Sequence, residues 1–177
     1  MIFTSTHLSG VFRIVPELIH DERGFFARSW CQQDFASHGL NSRVAQCNIS
    51  LSSKKGTLRG MHYQSTPFAE TKLVRCTRGS IFDVALDLRP DSATYKCWVG
   101  AILTAKNREM LSIPEGCAHG FLTLEDDCEV FYQVSETYHP EAACGVRWND
   151  PAFAIAWPEQ VKVISQRDAA YPDFVTP

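Results

Sequence analysis

The sequence lacks the short motifs that identify several common enzyme classes. It contains no Cys-x-x-Cys pair, so neither a zinc knuckle nor a thioredoxin-like redox site is indicated. The patterns G-x-S-x-G, G-x-G-x-x-G and G-x-x-x-x-G-K-[ST] are also absent. The sequence therefore predicts no hydrolase elbow and no standard dinucleotide or triphosphate loop. No two histidines show metal-ligand spacing, and we predict no metal centre.

Features of membrane, nucleic-acid-binding and secreted proteins are missing as well. No run approaches the ~20 apolar residues of a membrane span. The net charge of −3 gives no overall attraction to nucleic acid or to an anionic membrane. The first ten residues, MIFTSTHLSG, do not read as a basic leader followed by an apolar segment. Seven widely spaced cysteines, an odd number, favour the reducing cytoplasm.

What the sequence does contain is a series of short strands. Turn signals recur every 8–12 residues, which is typical of an all-β sandwich or barrel, and a double-sheet jelly roll suits the length. The clearest strand is Ser80–Leu88, where Asp83 and Asp87 share one face and apolar residues the other. Residues 118–124 and 129–134 read as a hairpin. We predict one cupin-like domain over residues 1–177, a double-stranded β-helix (jelly roll) with a few short helices.

Two short helices are predicted. The first covers residues 32–38 and stops at Gly39. The second begins at Ser165-Gln166-Arg167-Asp168, which matches a helix capping pattern, and Pro172 limits its length. On the pattern alone, Asp168 is interpreted as part of its own helix cap.

The chemistry centres on Thr57–Gln64, the stretch TLRGMHYQ. It places a cation, Arg59, and a base, His62, three residues apart in a strand-like run. A regular strand would put them on opposite faces. Glycine within a strand often marks a bulge, and a bulge at Gly60 would turn both side chains into one cavity. The alternative is a regular strand with a structural histidine.

Five polar side chains on strand-like segments could line such a cavity: Arg59, His62, Lys72, His119 and Tyr132. Buried cations and histidines are costly without anionic partners. Each of them alone therefore has a structural explanation, whereas all of them facing one cavity would indicate a functional site. Tyrosine can serve there as a proton donor.

These segments also match a known family. DERGFF (21–26), LRGMHYQ (58–64), KLVRC (72–76), IPEGCAHGF (113–121), RWNDPAF (147–153) and QRDAAYP (166–172) occur in this order. Together the segments resemble the dTDP-4-dehydrorhamnose 3,5-epimerase family over roughly residues 10–172. That family is a metal-free, cofactor-free, cupin-like homodimer, and it acts on nucleotide-linked 4-keto-6-deoxy sugars.

The resemblance implies roles for particular residues. His62 is expected to be the general base, Asp168 its partner and Tyr132 the acid on the opposite face of the sugar. Lys72 and Arg59 would meet the 4-keto oxygen and nearby phosphate oxygens. The remaining substrate-binding positions implied are Arg23, Gln46, Asn48, His119, Tyr138 and Arg167.

The implied reaction agrees with these residue types. A ketone at C4 acidifies the hydrogens at C3 and C5, and a base can remove either to give an enolate. Fixed positive charge stabilises the enolate oxygen without metal or redox cofactor. Histidine suits the base because its unperturbed pKa, about 6.5, is near working pH.

Three positions depart from the family pattern. Arg28 and Ala143 stand where glutamate is common, and Cys47 replaces an aspartate between Gln46 and Asn48. We interpret all three as nucleotide-contacting positions, so that the proton-transfer residues are retained. The alternatives are an epimerase of one centre, C3 or C5, on another nucleotide sugar and a non-catalytic sugar-nucleotide-binding protein. A metal-dependent cupin oxygenase is disfavoured by the histidine spacing.

Overall fold

The computed structural model describes residues 1–175 of the chain. In chain order its strands are β1 (Ile2–Ser5), β2 (Phe12–Val15), β3 (Ile19–Asp21), β4 (Gly24–Phe26), β5 (Gln46–Ser52), β6 (Thr57–Gln64), β7 (Lys72–Arg78), β8 (Ser80–Asp87), β9 (Trp98–Thr104), β10 (Met110–Ile113), β11 (Cys117–Thr123), β12 (Cys128–Val134), β13 (Ala143–Gly145) and β14 (Val163–Ile164). The α-helices are α1 (Gln32–Ser37) and α2 (Gln166–Ala169), and a 3₁₀ turn covers Pro140–Ala142.

The strands form two facing six-stranded sheets. The first has the order β1-β2-β10-β7-β12-β5, and every pairing in it is antiparallel. The second has the order β13-β6-β11-β8-β9, and β14 pairs in parallel with the start of β6. Strands β3 and β4 form a separate hairpin. This arrangement confirms the predicted jelly roll.

An apolar cluster is buried between the two sheets. Val74, Leu111 and Val130 from the first sheet pack in one cluster with Ile81 and Leu103 from the second. Three cysteines, at positions 76, 117 and 128, are buried in the same cluster. Burial raises the pKa of the first two of these thiols to about 12, so they pack as small hydrophobic groups.

The predicted hairpin between residues 118–124 and 129–134 is wrong. β11 pairs with β6 and β8 in the second sheet, whereas β12 pairs with β5 and β7 in the first. Facing sheets are ~10 Å apart, a distance that the four connecting residues span in an extended form. A short polar turn can therefore connect two paired strands of one sheet or two strands of facing sheets. The sequence pattern does not distinguish these two connections.

Two further local features belong to the second sheet. Strand β13 covers Ala143–Gly145, and the amide and carbonyl of Val146 also bond to Met61. Asp83 and Asp87 do not face solvent: both are 0% exposed. Asp87 accepts hydrogen bonds from Arg89, and this bonding network outweighs burial and lowers its pKa.

Candidate active site

A cavity of about 740 Å³ opens between the two sheets. Its size is that of a site for an organic ligand rather than for a single ion. Ten of the eleven predicted site residues line it: Gln46, Asn48, Arg59, His62, Lys72, His119, Tyr132, Tyr138, Arg167 and Asp168. The structure therefore brings together residues from seven different segments of the chain.

A bulge in β6 directs the central stretch into this cavity. His62 is paired with His119 and Arg59 with Phe121, so three steps along β6 match two along β11. Gly60 lies at this shift with φ +132°, and a Cβ there would lie 2.5 Å from the Cα of Gly120. Only glycine fits this close approach. The predicted bulge is confirmed, and Arg59 and His62 both line the cavity.

His62 forms a pair with a carboxylate from the end of the chain. Its Nε2 lies 2.7 Å from Oδ1 of Asp168, and the two side chains are 42% and 6% exposed. Ser165 caps α2 by accepting a hydrogen bond from the Asp168 amide, which confirms the predicted cap. The cap uses the backbone amide of Asp168, so its carboxylate can bond to His62. Its Oδ2 also accepts a hydrogen bond from the Gly60 amide at 3.2 Å.

These contacts set the charge of Asp168. Burial raises the pKa of its carboxyl, but hydrogen bonds from His62, Gly60 and Ser165 lower it by more, and the net pKa is below the ordinary value. Asp168 is therefore an anion at neutral pH. It can orient the imidazole and stabilise the imidazolium after a proton is taken up.

A second histidine–aspartate pair lies directly beside the first. His119 Nε2 is 2.7 Å from Asp83 Oδ1, and these side chains are 9% and 0% exposed. His119 lines the cavity, while Asp83 lies behind it and has no hydrogen-bond partner at Oδ2 among the described residues. The alternating pattern of this strand predicted only that Asp83 shares a face with Asp87. The partner histidine, 36 residues away, gave no local signal.

Two cations lie on opposite sides of this region. Lys72 Nζ donates to the His62 carbonyl at 3.0 Å, and it pairs with Glu70 Oε1 at 3.0 Å. Arg59 donates to Ser52 Oγ at 3.1 Å and to the Leu51 carbonyl at 3.0 Å. Both cations are thereby fixed at the cavity wall, as electrostatic stabilisation of a developing oxyanion requires. Glu70 is a cavity residue that the sequence analysis missed.

Tyr132 faces the cavity from the opposite sheet. It belongs to β12 in the first sheet, whereas His62 belongs to β6 in the second. Burial raises the pKa of its phenol, the Glu70 charge raises it further, and Arg59 opposes the shift. The phenol therefore carries its proton at neutral pH. An imidazole and a protonated phenol thus approach one cavity from opposite walls.

Four polar side chains extend the site toward its mouth. Gln46 and Asn48 are neighbours on one face of β5, and the Gln46 amide donates to Asn48 at 2.7 Å. Tyr138 is 56% exposed, and its hydrogen bond to Arg167 raises the pKa of that guanidinium. An exposed ring next to a guanidinium can stack on a planar ligand such as a nucleobase.

Arg23 is the predicted site residue that does not reach this cavity. It lies in the turn of the β3–β4 hairpin, its side chain is 81% exposed, and it pairs with Asp21. Two of the three departures from the family pattern also lie elsewhere. Arg28 is near Asp34, and Cys47 contacts Gln133 on the outer face of β5. Of the three, only Ala143 lines the cavity of its own chain.

The cavity holds no obvious metal ligand set. Among residues 1–175, no group of three or more His, Cys, Asp or Glu side chains is close enough to bind one ion.

No helix within residues 1–175 is long and apolar enough to span a bilayer.

Comparison with known proteins agrees with this geometry. A family model described as dTDP-4-dehydrorhamnose 3,5-epimerase matches residues 5–176. The chain belongs to the dTDP-4-dehydrorhamnose 3,5-epimerase family. The Escherichia coli enzyme of that name is 47% identical over 156 residues, which cover 87% of this chain and 83% of that protein. The resemblance, the cupin-like fold and the classification as an isomerase are thereby confirmed.

Solved epimerase structures extend the similarity to the fold. The epimerase of Bacillus anthracis, with TDP and pyrophosphate bound, has a TM-score of 0.94 and 39% identity, and the match covers 98% of this chain and 99% of that one. The Legionella pneumophila enzyme, in complex with dTDP-4-keto-L-rhamnose, has a TM-score of 0.89 and 40% identity, covering 96% and 90%.

One relative has a narrower name. A dTDP-4-dehydrorhamnose 3-epimerase of Streptomyces niveus is 40% identical to this epimerase over 162 residues, which cover 91% of this chain and 78% of that protein. Family membership alone therefore leaves the number of inverted centres open.

Proposed function

We propose that this epimerase inverts both C3 and C5 of a dTDP-linked 4-keto-6-deoxyhexose, as one catalytic domain and without metal or other cofactor. The observation that supports the proposal best is the placement of His62 and Tyr132 on opposite sheets of one cavity. Inversion of a carbon needs a proton removed from one face and returned to the other.

The proposed step begins at His62. Its imidazole takes a proton from C3 or C5, and the C–H electron pair moves into the enolate, whose negative charge rests on the C4 oxygen. Lys72 and Arg59 stabilise that oxygen. Tyr132 then donates its proton to the opposite face of the same carbon. The imidazolium loses its proton to solvent and the phenolate regains one, so the site returns to its starting state.

The remaining cavity residues are assigned to the nucleotide and its phosphates. Gln46, Asn48 and His119 offer hydrogen bonds along the wall, while Tyr138 and Arg167 offer a ring and a cation at the mouth. A soluble diphosphate ligand fits a site that combines fixed cations with an exposed ring. We place the reaction in the reducing cytoplasm, which the seven free cysteines favour.

Deuterium exchange tests the proposal. The protein is incubated with dTDP-4-keto-6-deoxyglucose in D₂O containing excess chelator, and NMR follows C3 and C5. We expect deuterium at both carbons. Exchange at C3 alone would instead favour the second candidate, a 3-epimerase, to which the Streptomyces niveus similarity points. No exchange contradicts the epimerase proposal, and exchange lost only with chelator contradicts the cofactor-free mechanism.

Tyr132→Phe separates the acid from the base. This variant keeps His62, so it should still exchange hydrogen at C3 and C5 while forming little inverted product. Unchanged product formation would remove Tyr132 from the acid role.

We also propose that the enzyme works as a homodimer in which Arg23 serves the cavity of the second copy. The β3–β4 hairpin carries Arg23 away from its own cavity, and it exposes Ile19 and Phe26 at 67% and 69%. The outer face of β5 exposes Ile49 and Leu51 at 66% and 50%. Apolar side chains exposed on a hairpin and on a sheet face are typical of a protein–protein contact.

Co-expression of Arg23→Ala and His62→Ala chains tests this sharing. Each variant alone lacks one component in every site, whereas a mixed dimer has one site with both. We expect low activity from each variant and recovery in the mixed dimer. A monomer by light scattering, or no recovery, would contradict the proposal.

A further inference from the structure

The cavity contains a buried carboxylate that the proton-transfer scheme does not use. Glu70 lies in the loop between β6 and β7, and it lines the cavity wall. Its side chain is only 11% exposed. An anion in the pocket of an anionic substrate costs binding energy through desolvation and repulsion unless it has a specific partner.

That partner is Lys72. The Glu70 carboxylate lies 3.0 Å from Lys72 Nζ, whose side chain is 9% exposed. The same Nζ donates to the His62 carbonyl at 3.0 Å. An ammonium has three donors. Two of them are directed by these contacts among the described residues, which leaves one N–H for a substrate oxygen.

Glu70 also acts on the phenol that faces His62. Its negative charge raises the pKa of Tyr132 beyond the effect of burial, and Arg59 acts in the opposite direction. The other charged or titratable side chains that share the cavity with Tyr132 come from β6, β7, β11 and α2: His62, Lys72, His119, Arg167 and Asp168. Tyr63, Tyr138 and Cys144 complete the titratable set. Of the carboxylates, Asp168 is committed to His62, which leaves Glu70 as the anion that offsets the cations near the phenol.

We propose that Glu70 is a positioning residue of the reaction, fixing the Lys72 ammonium beside the strand that carries His62 and placing a negative charge next to the Tyr132 phenol. This inference rests on the proposed function. Glu70 touches neither the reacting carbons nor the enolate oxygen, and it acts through the two residues that do. Its removal should therefore alter the pH range of activity as well as the rate.

Two substitutions separate charge from position. Glu70→Gln keeps the shape and an oxygen for Lys72 but removes the charge. We expect kcat/KM near neutral pH to stay within about tenfold of the unsubstituted enzyme. The alkaline limb of the pH profile of kcat/KM should move to lower pH, because the Tyr132 phenol loses its proton more easily without the Glu70 charge. Glu70→Ala also frees the ammonium, and we expect a further loss of about tenfold to a hundredfold.

Glu159 provides a matched control. Its Oε1 pairs with Lys55 Nζ at 2.8 Å, outside the cavity. Glu159→Gln removes one charge from a Lys–Glu pair, and its pH profile should coincide with that of the unsubstituted enzyme. An alkaline limb that stays in place in Glu70→Gln, or that shifts equally in Glu159→Gln, would overturn the proposal.

A tyrosine titration tests the proposed effect of Glu70 on Tyr132 without enzyme turnover. The chain has five tyrosines, and ¹³Cζ labelling gives one signal each. The Tyr132 signal is the one missing from Tyr132→Phe. In folded Glu70→Gln we expect this signal to titrate at lower pH than in the unsubstituted protein, and an unchanged midpoint overturns the proposal. An inactive unsubstituted enzyme contradicts the proposed function instead and leaves this titration readable.

Discussion

Two histidine–aspartate pairs lie side by side in this epimerase and differ mainly in access to the cavity. Both have a nitrogen–oxygen distance of 2.7 Å. His62 is 42% exposed and faces the ligand space, whereas His119 is 9% exposed and Asp83 is fully buried behind it. Equal hydrogen bonds can therefore serve different purposes, since only an accessible imidazole can exchange protons with a substrate.

The origin of each aspartate strengthens the contrast. Asp83 comes from β8, which is hydrogen-bonded along its length to the strand of His119, so that pair is built into the sheet. Asp168 comes from α2, close to the end of the described chain, and the Ser165 cap and the Gly60 amide hold it in place. The first pair is buried in the wall of the cavity, and the second lies at its surface, where we propose that it transfers protons.

The largest effect is expected for His62→Ala. Without the base, the rate of product formation should fall by about 10⁴-fold, the upper end for general acid–base catalysis. Product can be followed by NMR at saturating substrate. A folded variant with more than a tenth of the normal rate would transfer the base role to another residue.

Asp168→Asn should have a smaller effect, because the base remains. Its imidazole would lose the anion that stabilises the charged form, and we expect kcat to fall by roughly 10²-fold. The Gly60 amide can still bond to the asparagine oxygen, so the fold should persist. Equal rates for Asp168→Asn and the unsubstituted enzyme would show that Asp168 serves only the helix and loop.

His119→Ala should act mainly on stability. It leaves the Asp83 carboxyl without its histidine partner at 0% exposure, which costs about 3 kcal/mol in unfolding free energy. His62→Ala should cost only about 1 kcal/mol, because Asp168 keeps its hydrogen bond from the Gly60 amide and lies at the cavity surface. Urea denaturation of both variants measures the difference. The reverse order would contradict the division between supporting and reactive pairs.

Acidification gives the smallest and most specific effect. The pKa of Asp168 is lowered in the folded state, so its stabilising contribution is present above the unfolded pKa, about 4, and is lost as pH falls through the folded value. The stability gap between the unsubstituted protein and Asp168→Asn should therefore narrow below about pH 4. A gap that is constant from neutral to acidic pH would contradict this assignment.

The sequence predicted local features well. The end of α1 before Gly39, the Ser165 cap and the bulge at Gly60 each follow from the chemistry of one residue and its neighbours. The cavity residues were also predicted, because strand-borne cations and histidines need a polar cavity and the family resemblance named them.

Long-range pairing was not predictable in the same way. The crossover between β11 and β12 resembles a hairpin turn in sequence, and the burial of Asp83 depends on a histidine in another strand. Glu70 lies in a polar loop, and only the folded cavity shows its contact with Lys72. Arg23 lies in the family's DERGFF motif, but the single chain places it outside the cavity.

Hydrogen exchange in the two histidine variants, measured side by side, is the most direct test of the division between the pairs. Folded His62→Ala and His119→Ala are each incubated with saturating dTDP-4-keto-6-deoxyglucose in D₂O, and NMR reports deuterium at C3 and C5. We predict incorporation by His119→Ala at both carbons and none by His62→Ala. Incorporation by His62→Ala, or none by a folded and substrate-saturated His119→Ala, would contradict it.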